Sequence, residues 1–258
     1  MLRSLGLIAE PPTLEFLCRL IRAWLFTVPF HNLDLLSGES PYDEEGAAEK
    51  CLHGHGGGCH VHAAGFRALL ATLGFNASLA SASIGAADDH LIISVRFDDG
   101  LYWIDVGNGQ PYLMPFPDSR EQLISHLGWQ IRSVPSDSGV RLLRKFPDRR
   151  EWHQIYETNS PLKTWEHFAR SIRRHHEESG FGPFLTGLRV VEIGSHQMRT
   201  LRDDILSVYN RSGSRTTRIK SDTELIAVAT DIVPQRSLAI RAVRSWRDNL
   251  RAHAGASP

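Results

Sequence analysis

Cys59, His90 and Asp105 stand in that order along this 258-residue chain, and together they could perform nucleophilic catalysis. A catalytic thiol must become a thiolate, which a helix N-terminus and a nearby imidazolium both favour. Gly56-Gly57-Gly58 precede Cys59, and Phe66, Leu69, Leu70 and Leu73 follow at helical spacing, with Gly74 as a stop. Cys59 is therefore expected at a helix N-terminus. Without Cβ atoms, Gly57 and Gly58 could bring main-chain amides to a substrate carbonyl. His90 opens the apolar run Leu91–Phe97 and Asp105 closes Leu101–Val106, with Asp99-Gly100 as a hairpin turn between them. Residues 90 and 105 sum to 195, against about 199 for partners across that turn, so they are approximate cross-strand neighbours. A base and the carboxylate that orients it would then lie side by side.

The surrounding elements have to hold these groups in place. Pro11, Pro12 and Thr13 lead a helix through Leu14, Leu17, Ile21, Trp24, Leu25 and Val28, which Pro29 stops. Residues 37–46 read as a loop. After Phe75 the period changes to two, predicting strands over 77–84, 91–97 and 101–106, then weaker ones over 140–143, 152–157 and 188–193. That spacing suits a small barrel or sandwich. Ser221 with Glu224 forms a capping box, 238–250 reads as a closing helix, and the tail 252–258 is expected to fray. No internal repeat or low-complexity stretch appears. The expected regions are helical 1–75 carrying the cysteine, β-rich 76–194 carrying His90 and Asp105, and α/β 195–258.

Composition excludes several classes of function. Lys plus Arg and Asp plus Glu are 29 each, so nothing marks a nucleic-acid or anionic-membrane surface. No apolar run is long enough for a membrane span, and residues 1–10 do not read as a signal peptide. Three cysteines without a framework spacing fit a reduced, cytoplasmic protein.

Three further features have plain readings. Cys18 reads as packing on an amphipathic helix, and Cys51 has no base beside it. Cys51, His53, His55, Cys59, His60 and His62 invite a zinc site but lack any standard zinc spacing, and His60 and His62 would face different sides of a helix. No metal is expected. Arg236, Arg241, Arg244, Arg247 and Arg251 read as a solvated helix face, the alternative being a local contact with phosphates or an acidic carrier protein.

Four local strings resemble the arylamine N-acetyltransferase family: Val28-Pro29-Phe30-His31-Asn32-Leu33, His55-Gly56-Gly57-Gly58-Cys59, Asp89-His90-Leu91 and Trp103-Ile104-Asp105-Val106-Gly107. The resemblance implies an α+β fold with a cysteine-protease-like core: a helical N-terminal region, a central antiparallel β-barrel and a C-terminal α/β lid. It implies ping-pong acyl transfer, with Cys59 as nucleophile, His90 as proton shuttle and Asp105 as orienter. Phe30, Gly57, Gly58 and Asn108 are the substrate-binding positions it suggests. No tightly bound cofactor is implied. Acetyl coenzyme A or another acyl thioester would be co-substrate, and an amine the acceptor. Close relatives of the amide-synthase type would instead take a longer chain, with an acyl carrier protein as partner. A thiol hydrolase and a degenerate binding protein are the remaining alternatives.

The sequence departs from the family pattern around the triad. Positions 31 and 55, Glu and Arg in the family, are both His here, which predicts a pair of imidazoles in place of an opposed charge pair. Val61, Ala63 and Asn108 replace the usual Glu, Asn and aromatic.

Overall fold

The computed structural model describes residues 1–147 and 149–254, with the side chains of 253 and 254 left out. Thr13 Oγ1 accepts the Phe16 N–H (3.2 Å) and so starts helix α1 (Leu14–Thr27). Its apolar stripe, from Phe16 and Leu17 to Trp24 and Leu25, is buried, and Val28 turns extended ahead of Pro29. Strand β1 (Phe30–His31) and the short helix α2 (Leu33–Leu36) follow. Asp43 caps α3 (Glu44–Leu52), so the loop expected over 37–46 is shorter than its polar composition suggested. Helix α4 (Cys59–Thr72) lies against α3 so closely that a Cβ on Gly65 would sit 2.6 Å from Cys51 Cβ.

The core of α1, α3 and α4 continues into an eight-stranded antiparallel sheet. Its strands are β2 (Ala77–Ser83), β3 (His90–Phe97), β4 (Gly100–Ile104), β5 (Phe116–Pro117), β6 (Gln122–His126), β7 (Trp129–Ser136), β8 (Gly139–Lys145) and β9 (His153–Lys163). They run in the order β5-β4-β3-β2-β9-β8-β7-β6 and curl into a nearly closed barrel. Helix α5 (Trp165–Glu177) leaves the barrel and buries Trp165, Phe168 and Ile172.

A second antiparallel sheet joins β1 to β10 (Arg189–Ile193), β11 (Gln197–Arg202), β12 (Ile205–Asn210) and β13 (Gly213–Arg218). Helices α6 (Asp222–Ile232) and α7 (Arg236–Ala254) cover it, sharing a separate core with Leu33 and Leu36 of α2. Ser221 does cap α6 through the Glu224 N–H. Residues 252–254, expected to fray, continue α7, and 255–258 lie outside the described residues. The architecture is thus a helical N-terminus, a central barrel and an α/β C-terminal layer.

The β3–β4 turn differs from expectation in one detail. Phe97 pairs with Gly100, so Asp98 and Asp99 make the turn and partners sum to 197. Asp105 falls two short of the position opposite His90. An even offset keeps both on one face of the sheet, as diagonal neighbours.

Candidate active site

Helix α4 begins at Cys59, with Gly58 as an N-cap that supplies no side-chain bond, so the first-turn amides leave their partial positive charge at the sulfur. The backbone entering this turn is tightly held. Gly56 has φ +69°, and a Cβ there would lie 1.9 Å from the Pro29 carbonyl oxygen. A Cβ on Gly107 would lie 2.7 Å from Cys59 Cα, so the end of the Asp105 string packs directly on the Cys59 backbone.

His90 Nε2–H donates to Asp105 Oδ2 at 2.8 Å, and Asp105 Oδ1 accepts the Gly107 N–H at 2.9 Å. With Nε2 committed to the carboxylate, Nδ1 is the nitrogen left for the sulfur. Burial alone would push the Cys59 thiol up, but hydrogen bonds from His60 and His90 outweigh it and hold the thiol well below its usual range. Burial alone would likewise lower His90, but the Asp105 charge and hydrogen bond, with the Cys59 interaction, raise it to about 10. The two buried groups titrate as a unit, and the arrangement favours thiolate with imidazolium.

Two histidines join this centre that sequence reasoning did not assign to it. His60, next to Cys59, is buried against Trp165 and His176 of α5, and its Nε2 has no hydrogen-bond partner among the described residues. His175 donates Nδ1–H to the Phe181 carbonyl (3.3 Å) and faces the same cavity as Cys59. The adjacency of Cys59 and His60 was the available signal for the first. The second depends on α5, which arrives from over a hundred residues away.

The expected pair of imidazoles does not form. His31 is fully buried, donates Nε2–H to the His55 carbonyl (2.9 Å) and accepts the Leu33 N–H at Nδ1 (3.2 Å). The His55 ring is exposed and lies beside His53 instead. The buried charge pair in this region is Asp34 with Lys50 (2.8 Å). His62 accepts the Trp24 indole N–H at Nδ1 and donates Nε2–H to the Pro29 carbonyl, and burial lowers it to about 4. It is therefore a neutral strut, fixing the Pro29 turn to α4.

A cavity of about 1080 Å³ opens over Cys59 and His90 and runs between the barrel and the second sheet. Phe30 and Asn108 are on its wall, with Gly107 and Gln110. Gly57 and Gly58, expected to present amides to a substrate, are buried and are not part of that wall. The Gly57 carbonyl instead accepts the His31 N–H (3.0 Å).

Cys51 is buried beneath Gly65, and desolvation pushes its thiol up, which suits packing; desolvation also raises Cys18. Among the described residues no group of His, Cys, Asp and Glu is arranged to hold a metal ion. No described helix is long and apolar enough to cross a membrane. On α7, Arg241, Arg247 and Arg251 pair with Glu39, Asp222 and Asp248, so the arginine run is partly neutralised.

A family model described as N-acetyltransferase matches residues 13–233. The fold is similar to the Mycobacterium marinum arylamine N-acetyltransferase in complex with CoA (TM-score 0.81, 22% identity, covering 95% of this chain and 97% of that one). It is also similar to the Salmonella typhimurium enzyme (TM-score 0.81, 17% identity, covering 94% and 96%). A Bacillus cereus arylamine N-acetyltransferase described as having a unique Cys-His-Glu triad matches as well (TM-score 0.75, 20% identity, covering 89% and 95%). No curated protein matches the chain.

Proposed function

Because the chain belongs to the arylamine N-acetyltransferase family, we propose that it moves an acyl group from a thioester donor to an amine through an acyl thioester on Cys59. The observation that carries this reading is the Cys59, His90, Asp105 constellation at the floor of an open cavity.

In the first half-reaction the Cys59 thiolate adds to the thioester carbonyl, and the tetrahedral adduct collapses by breaking the donor C–S bond. His90 gives its Nδ1 proton to the departing thiolate. One thioester replaces another, so the enzyme chiefly supplies position and charge stabilisation. In the second half an amine lone pair adds to the acyl-Cys59 carbonyl. Neutral His90 takes the amine proton, and Cys59 leaves as thiolate. Asp105 holds the ring's orientation and balances its positive charge through both halves.

Acetyl coenzyme A is the donor the family implies. A second reading, in which a longer acyl chain is taken as in an amide synthase, is compatible with a cavity of about 1080 Å³, just above the roughly 300–1,000 Å³ typical of small-molecule sites. Initial rates with acetyl coenzyme A and with acyl pantetheines of increasing length, against one arylamine, test both. Parallel double-reciprocal lines support the ping-pong route, and the donor with the highest kcat/KM identifies the acyl group. Release of free acid at an unchanged rate without amine would make the protein a thiol hydrolase. Absence of turnover with every donor would favour a binding role.

A further inference from the structure

We propose that Arg144 anchors an anionic group, a carboxylate or phosphate, carried by a substrate of the Cys59 cavity. The proposal rests on the acyl-transfer reading and names the substrate chemistry of that same site.

Arg144 lies on β8, opposite Ile131 of β7, and is on the wall of the cavity that holds Cys59. Its guanidinium carbon is 4.3 Å from the Phe146 ring centroid and 5.9 Å from that of Trp129, both on the same wall. Those rings back the guanidinium and shield part of it from water. Its Nε is buried without a hydrogen-bond partner, and no carboxylate among the described residues is within ion-pair distance of the side chain. Of the carboxylates on the wall, Asp203 is engaged by Arg189 (3.0 Å) and by the Leu188 N–H (3.0 Å), and Asp89 accepts the Ile84, Gly85 and Ala86 N–H groups. Arg202 adds a second positive charge near Arg144.

A partly desolvated, aromatic-backed cation without a counter-charge is unfavourable by itself. Its planar fork is suited to two oxygens of a carboxylate or phosphate, and desolvation strengthens such a bond. Gln154 and Thr200, on the wall of the same cavity, carry further hydrogen-bond donors. The anion could belong to the acceptor or to the donor, and both recognitions share this chemistry.

Two paired comparisons decide between the sources. The acceptor arm measures kcat/KM for 4-aminophenyl alkanoates of graded length against their carboxamides. The donor arm compares acetyl coenzyme A with acetyl pantetheine, which lacks phosphate. Wild-type enzyme should favour the anionic member in one arm. In R144Q the charged-to-uncharged ratio in that arm should fall roughly tenfold to a hundredfold, the scale of a lost charge-assisted hydrogen bond, mainly through KM. R144K, which keeps the charge but not the fork, should recover part of the ratio. Equal losses for charged and uncharged members, or an unchanged ratio in both arms, would overturn the proposal. Should R144Q not fold, the wild-type ratios decide, since no anionic preference in either arm overturns it too. Wild-type protein that fails to acylate with any donor marks instead the failure of the acyl-transfer reading.

Discussion

A buried thiol ionises only where neighbouring charge outweighs desolvation, and two imidazoles do so at Cys59. Its rate of alkylation by iodoacetamide against pH should therefore show a midpoint well below that of a free thiol. His90→Gln removes the partner that stores the proton, so kcat/KM should drop by roughly 10² to 10⁴, the usual scale of a positioned acid or base, and the alkylation midpoint should rise. His60→Phe keeps the aromatic packing against Trp165 and removes one hydrogen bond to the sulfur, so the midpoint should move up while the melting temperature stays close to wild type. An unmoved midpoint would make His60 packing alone. The placement of Cys59, His90 and Asp105 was legible in sequence because each sits in a short string with its own turn or helix signal. His60 was less so, since adjacency along a chain does not reveal that the neighbouring imidazole helps to lower the thiol.

At the scale of elements, the site depends on two backbones in contact: the first turn of α4 and the segment after β4. A Cβ at 107 would meet Cys59 Cα at 2.7 Å, so Gly107→Ala should destabilise by about 1–3 kcal/mol, as overpacking does. It should also reduce acylation more than stability alone explains, measured by urea unfolding beside single-turnover rates. Helix α4 and strands β2 to β4 were readable from their hydrophobic periods. The β6–β7 hairpin was not. Its turn is Leu127-Gly128, with φ +49° and +84°, where an Asn-Gly pair would have announced the same geometry. Pro135 reads as a break, yet it occupies the end of β7 opposite Val140, where the ladder closes. Helix α5 carries a run of arginine and histidine that masks the stripe Trp165, Phe168 and Ile172, which it buries with Trp165 beside His60 of α4.

Across the whole molecule, buried neutral histidines tie stability to pH. His62 is lowered from 6.5 to about 4, so the folded state resists a proton that the unfolded chain accepts. Its contribution is present above pH 6.5 and is lost as pH falls through that window, by about 2 kcal/mol between pH 7.5 and pH 5. His31, lowered by burial, acts in the same direction. His62→Gln can accept from Trp24 and donate to Pro29 without titrating, so its urea midpoint should fall less over this range than that of wild type. An equal fall in both proteins would place the acid sensitivity elsewhere. The cavity between the barrel and the second sheet could not be read from sequence, because its walls come from segments far apart along the chain.

The chemistry as a whole is tested most directly by intact-mass measurement and peptide mapping after mixing wild-type protein and Cys59→Ala with an acyl thioester, then adding an arylamine. Acyl transfer through Cys59 requires one acyl increment on the peptide holding Cys59, discharged as amide when amine is added, and none on the variant. An increment on another residue, or equal labelling of the variant, would contradict it.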